Sequence, residues 1–121
     1  MRDRARESRQ GDALRLADIQ ESVRLLLEIR AAGRDRLRSD SIVKDATICR
    51  FEVMGEAAGH VSAAVRTRHS EIPWQKMRGF ASFAKHEYWR LDLNEIWDAL
   101  ETMPALEKAL ARVRVLDVPP P

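Results

Sequence analysis

Leu16, Ile19, Val23, Leu26 and Leu27 recur at steps of three and four residues, and no stretch of the chain alternates apolar and polar residues convincingly with period two. Without strands, apolar faces can only be buried helix against helix, so the chain reads as all-α, an up-and-down bundle of four to five helices. At 121 residues it can build one core but not two. There is no internal repeat. No apolar run approaches the roughly 18 residues that span a membrane. The start Met1-Arg2-Asp3-Arg4-Ala5-Arg6-Glu7 leads into no apolar signal region. Cys49 is the only cysteine, which excludes an internal disulfide and offers no zinc cluster. A reducing cytoplasm is the expected location.

Stop and start residues divide the helical pattern. Residues 1–12 read as a disordered basic arm, 13–116 as the helical domain and 117–121 as a disordered Pro-rich tail. Asp12 is the expected N-cap of a first helix over about 13–33, closed by Gly33. Arg30, Arg34, Arg36 and Arg38 crowd the end of that helix, where positive charge complements its dipole. Ser39 or Asp40 opens a second helix, about 41–66, whose apolar face is expected to run Ile42, Ala46, Cys49, Val53 and Ala57, broadened by Phe51, Met54, Ala58 and Val61. Cys49 is read there as packed rather than reactive. Gly55 and Gly59 lie in mid-helix, where each costs roughly 1 kcal/mol against alanine. Close approach of another helix is the reason to expect. Arg66 to Pro73 reads as a loop, and Trp74 begins a helix that ends near Lys85 or His86. Asp92-Leu93-Asn94-Glu95 has the spacing of a capping arrangement and starts a further helix. Pro104 breaks or restarts it, and Leu106, Leu110 and Val113 carry the pattern to about 115.

Charge is unevenly distributed. Residues 1–10 carry four arginines against Asp3 and Glu7 (+2), residues 11–60 hold eight basic and nine acidic groups (−1), and residues 91–121 come to −3. Residues 61–90 hold Arg66, Arg68, Lys76, Arg78, Lys85 and Arg90 against only Glu71 and Glu87, a balance of +4. One interior window thus carries the excess that a polyanion-binding face would need, although a solvated basic face gives the same count.

That window is also the richest in motif. It reads Trp74-Gln75-Lys76-Met77-Arg78-Gly79-Phe80-Ala81-Ser82-Phe83-Ala84-Lys85-His86-Glu87-Tyr88-Trp89-Arg90-Leu91-Asp92, followed by Ile96-Trp97. A His-x-Tyr pair alone says little. A tryptophan opening a helix, a glycine five residues on, His-Glu-Tyr seven beyond, then an Asp and an Ile-Trp pair resembles the HepT branch of the HEPN superfamily. Arg50-Phe51-Glu52-Val53-Met54-Gly55-Glu56-Ala57-Ala58 is similar to that branch's second signature. The resemblance covers roughly residues 13–115 and implies a HEPN-like bundle. It also implies a metal-independent RNase toxin with no cofactor, acting on tRNA or mRNA, whose two-fold homodimer brings two Arg-x4-His motifs to one cleft. Cleavage through the RNA's own 2′-hydroxyl needs proton transfer, which a histidine can supply near neutrality. It also needs charge stabilised at phosphorus, which a forked guanidinium supplies. The resemblance assigns the first role to His86.

The second role is unfilled. Five residues before His86, where the family has arginine, stands Ala81, and the next position, often asparagine in the family, is Ser82. Arg78 lies eight residues from His86, about 12 Å along a helix axis at 1.5 Å per residue, so the two can scarcely meet one phosphate within a subunit, though the long arginine could help across a dimer. Lys85 is nearer but lacks the fork. Losing one preorganised donor typically costs roughly 10²–10³ in rate, so an impaired enzyme is expected. Three readings of Ala81 are open: an engineered inactivating change, a natural loss that leaves a binding module, and an active variant with rearranged residues.

The resemblance further implies a partner, a minimal nucleotidyltransferase antitoxin that adds AMP to the tyrosine at Tyr88; added phosphate beside the histidine would fill an RNA cleft with bulk and negative charge. Arg78, Lys85 and Arg90 are expected to line that cleft and contact RNA or antitoxin. Trp74 and Trp97 fit helical stripes and are expected in the core. Neither His60 nor His69 has a partner at metal-ligand spacing. Two alternatives come from other classes. One is a catalytically silent helical dimer that binds a nucleotidyltransferase; the other is a nucleotide-sensing helical domain.

Overall fold

The computed structural model describes the backbone of residues 2–113 and the side chains of residues 9–113. Its elements are α1 Arg2–Ala32, α2 Arg34–Ser39, α3 Ser41–Gly59, α4 Ala63–Arg68, α5 Trp74–Glu87, a 3-10 turn Tyr88–Arg90, α6 Leu93–Glu101 and α7 Met103–Leu110. No strand occurs among the described residues, and the architecture is the expected all-α, HEPN-like bundle. The expected tail, 117–121, lies outside the described residues.

α3 is the central helix, packed most extensively on α5 and α1, while α6 and α7 close the other side of α1. The α1 stripe works as read, with Leu16, Ile19, Val23 and Leu26 all buried. Phe51 of α3 and Phe80 of α5 meet with ring centroids 4.8 Å apart and planes tilted by 56°. This geometry adds to simple area burial. Trp74 is buried and its indole N–H donates to the His69 carbonyl at 3.0 Å, so its polar edge is satisfied; Trp97 packs half-buried against the core.

Several local expectations are corrected. α1 begins at Arg2 rather than near 13, so residues 2–12, expected to form an arm, are helical. Asp12 is therefore no N-cap. It is buried and accepts hydrogen bonds from the Ser62 amide at 2.8 Å and the Ser62 hydroxyl at 2.7 Å, tying α1 to the start of α4. The second expected helix does not run to 66. α3 stops at Gly59, and Ser62 caps a separate α4, which runs past the expected helix end at 66 into the first residues of the expected loop. α2, which periodicity did not reveal, occupies 34–39 after Gly33, whose φ of +97° is the left-handed backbone that glycine alone tolerates freely.

The α3 stripe is also rotated in part from its expected phase. Phe51, Met54, Ala57, Ala58 and Val61 are buried as expected and Thr47, Ile48 and Gly55 join them, whereas Ile42, Ala46, Cys49 and Val53 face outward, so Cys49 is exposed rather than packed. α3 is apolar on both sides, which makes its phase ambiguous in sequence. Thr47 resolves it toward the core because its hydroxyl donates to the Val43 carbonyl at 2.7 Å and needs no water. Caps fall where the side-chain chemistry puts them. Asp40 accepts from the Ile42 and Val43 amides to start α3, and Asp92 accepts from the Asn94 amide to start α6. Pro104 sits in the first turn of α7.

Candidate active site at the contact of α3 and α5

Two helices can approach closely only where side chains are missing. A Cβ placed on Gly55 would fall 2.2 Å from the Ala81 Cβ and 2.6 Å from the Met77 carbonyl oxygen, separations that no packed atoms adopt. The mid-helix glycine expected from sequence to mark a close approach therefore does so, and its neighbour is the motif helix. Gly55 faces Met77 and Ala81, while Gly59 faces Arg78. Residue numbers rise on α3 as they fall on α5, so the two run antiparallel.

Beside this contact the small residues leave a cleft of about 670 Å³. Arg78, Ala81, Ser82, Lys85 and His86 line it from α5, positions three, four, seven and eight apart that share one helix face. Five of the positions singled out in the sequence, Arg78, Ala81, Ser82, Lys85 and His86, thus meet in one place. Ala81 is buried at its floor, and Ser82, Lys85 and His86 are exposed.

Arg90 and Tyr88 do not join them. Arg90 stands in the 3-10 turn and pairs with Glu87 at 3.6 Å. Tyr88, 54% exposed, lines a separate groove of about 240 Å³ with Asp45, Ile48, Cys49 and Glu52. Glu52 lines both grooves, so they adjoin.

The opposite wall was not foreseen from the sequence. Arg15 and Asp18 of α1 and Glu52 and Glu56 of α3 line the cleft as well. The +4 window therefore faces carboxylates, and the cleft is a mixed-charge site rather than a uniformly positive one. His60, expected to lack a ligand-spaced partner, has its Nε2 3.2 Å from the Glu56 carboxylate one turn back. No group of three or more metal-ligating side chains is present among the described residues. The arginines at the end of α1 and in α2 behave as a solvated helix end. Arg30 reaches Glu101, Arg34 reaches Asn94, Arg36 pairs with Asp40, and Arg38 pairs with Asp35.

An all-α bundle that presents a histidine on one helix face beside a glycine-lined contact is consistent with a HEPN-like domain. A model of the family described as HepT-like ribonuclease matches residues 19–113, and the chain belongs to that family. It is 26% identical over 96 residues to a protein of Caldanaerobacter subterraneus named "Putative RNase", covering 78% of this chain and 86% of that one. A protein of Methanocaldococcus jannaschii with the same style of name is 25% identical over 95 residues, covering 77% and 87%. In a third relative, named as a gamma-glutamylcyclotransferase and putative RNase of the same organism, the similarity is 25% over 100 residues and covers 45% of its length. No solved structure matches the chain at the same stringency. No helix among the described residues is long and apolar enough to cross a membrane.

Proposed function

We propose that the chain is an RNA endonuclease toxin of the HEPN type, acting on tRNA or mRNA in the cytoplasm without a metal, and slowed by the alanine at position 81. The observation that carries this reading is the convergence of His86, Ser82, Lys85 and Arg78 on one cleft in a member of the HepT-like ribonuclease family. In the proposed step His86 takes the proton of the RNA 2′-hydroxyl as that oxygen attacks phosphorus. The bond from phosphorus to the 5′ oxygen breaks, that oxygen is protonated by the imidazolium or by water, and a 2′,3′-cyclic phosphate remains. Lys85 supplies positive charge nearby but no planar fork.

The active form is proposed to be a two-fold homodimer. Its support is the outward stripe of α3, where Ile42 at 80% exposure is followed by Ala46, Cys49 and Val53, with Tyr88 and Trp89 also exposed. Tyr88 is the proposed acceptor of AMP from a separate nucleotidyltransferase: the tyrosine oxygen attacks the α-phosphorus of ATP, pyrophosphate leaves, and a phosphodiester to the ring forms. An exposed hydroxyl beside the cleft suits both access and blockage. Mass spectrometry after co-expression with such a transferase should locate an adenylyl group on Tyr88 and find none on Tyr88→Phe.

The decisive comparison is between the native chain, Ala81→Arg and Ala81→Arg/His86→Ala on total tRNA, together with growth on expression. Cleavage and growth arrest should rise by roughly 10²–10³ in rate with the arginine and vanish without the histidine. The second reading, a silent dimer that binds the transferase, is favoured by Ala81 and predicts binding with no cleavage by the native chain.

A further inference from the structure

We propose that the cleft holds a second phosphate-binding subsite, made by the Arg78 guanidinium seated over Gly59, so that it takes an RNA strand of several nucleotides rather than one phosphodiester. This rests on the reading of the cleft as an RNA site, and adds a place and a length to it.

Arg78 lies where α3 lacks a side chain. A Cβ on Gly59 would lie 3.3 Å from the Arg78 Nε, 3.8 Å from its Cδ and 3.9 Å from its Cζ. The Arg78 side chain therefore lies directly against Gly59, where a methyl would push it by a few tenths of an ångström and a longer side chain would displace it. Arg78 makes no ion pair or hydrogen bond among the described residues, unlike Arg24, Arg36, Arg38 and Arg90, each of which has a carboxylate partner. A carboxylate is close by in sequence, since Glu56 is one turn before Gly59. It is engaged by the His60 ring at 3.2 Å instead. The result is a fork of five donors with no direct carboxylate partner among the described residues, on a cleft that also carries Asp18, Glu52 and Glu56, and free to take two oxygens of one phosphate.

Arg78 and His86 line the same cleft but stand eight residues apart on α5, about 12 Å along its axis. With the Arg78 side chain against Gly59, the two residues of one subunit are placed for successive phosphates of a strand rather than for a single one. The bond to be cut then lies at His86 and a neighbouring phosphate further along at Arg78.

Binding distinguishes this from a diffuse basic face. Fluorescence anisotropy would use a labelled single-stranded hexanucleotide and a dinucleotide with one phosphodiester, both 2′-O-methylated against cleavage, over a range of salt. With the hexanucleotide, Arg78→Ala should lower the slope of log affinity against log salt by about 0.7, the value of one single-strand phosphate contact. With the dinucleotide the change should be smaller. Gly59→Leu keeps every charge but fills the seat, and should weaken hexanucleotide binding in the same way; its circular dichroism and melting verify folding. Arg78→Lys should keep the slope and lose affinity. The subsite is overturned if the hexanucleotide does not bind, if Arg78→Ala affects both ligands equally or neither, or if folded Gly59→Leu binds as the native chain does. A length-dependent loss without any cleavage, even by Ala81→Arg, would sink the endonuclease reading and leave the subsite standing. Cleavage by Ala81→Arg that is indifferent to Arg78 would do the reverse.

Discussion

Replacing Gly55 by alanine should destabilise the protein, although helix propensity alone says the opposite. In a helix interior the exchange of glycine for alanine is worth about 1 kcal/mol in favour of the helix. At Gly55 the new methyl would meet the Ala81 Cβ at 2.2 Å and the Met77 carbonyl oxygen at 2.6 Å. The second of these is backbone and cannot rotate away. Overpacking of this kind typically costs about 1–3 kcal/mol and sometimes more, so the net effect should be a loss of up to about 2 kcal/mol. Gly79 is the internal control. It lies in the interior of α5 with nothing within 4 Å of where an alanine methyl would stand, so Gly79→Ala should gain most of the propensity term. Because the propensity change is shared, the difference between the two variants isolates the contact between α3 and α5. Urea unfolding at one fixed protein concentration would measure it, since any dimer makes apparent stability depend on concentration. Ala81→Gly in the Gly55→Ala background should recover part of the loss, by removing the methyl clash but not the carbonyl one. Equal shifts for Gly55→Ala and Gly79→Ala would refute the close approach and the floor of the cleft with it.

Three further outcomes are expected. Asp12→Ala strips two hydrogen bonds to a carboxylate from the Ser62 amide and hydroxyl and should cost about 1.5–3 kcal/mol in urea unfolding, whereas a solvent-facing Asp12 would cost almost nothing. The Asp40 carboxyl is held below its ordinary range, first by the Val43 amide and also by Arg36 and the Ile42 amide. Its contribution is therefore full above the ordinary carboxylate range and is lost as pH falls through its lowered value; Asp40→Asn should flatten stability against pH in the acid range, and an unchanged slope would count against the cap. Cys49, exposed on the outward stripe of α3, should be alkylated rapidly at low protein concentration and more slowly as a dimer forms, so a rate independent of concentration would place the dimer contact elsewhere.

The sequence discloses what depends on neighbours along the chain and hides what depends on distant ones. The α1 stripe, the caps at Asp40 and Asp92 and the helix opened by Trp74 follow from local spacing, and the structure has them. Asp12 resembles an N-cap because aspartate before an apolar run usually is one; its actual partner, Ser62, is fifty residues away. The α3 stripe is easily misphased because both faces of that helix are apolar, and only contact with α1 and α5 selects the buried one. The same division runs through the site. Motif spacing locates Ala81, Ser82, Lys85 and His86, all on one helix. Arg15, Asp18, Glu52 and Glu56 enter the cleft from α1 and α3, and no spacing within α5 could announce them. Glycine carries the one long-range signal, since two mid-helix glycines imply an approaching helix without saying which.

The contact that makes Gly55 necessary also makes Ala81→Arg a fair test of chemistry. Gly55 is what leaves room for a Cβ at position 81, and that Cβ is common to alanine and arginine. Beyond it, an arginine would leave the helix contact and enter the cleft of about 670 Å³ that Ala81 already lines. The five residues from 81 to 86 span about 7.5 Å of helix axis, within reach of a long side chain, where the eight from Arg78 span about 12 Å. An arginine at 81 could therefore share one phosphate with His86, as Arg78 in the same subunit scarcely can. If Ala81→Arg melts like the native chain, binds RNA, and still leaves tRNA intact and cells growing, misfolding and lack of space are both excluded as reasons. The endonuclease reading would then fail, and the silent transferase-binding dimer would be the better account of the chain.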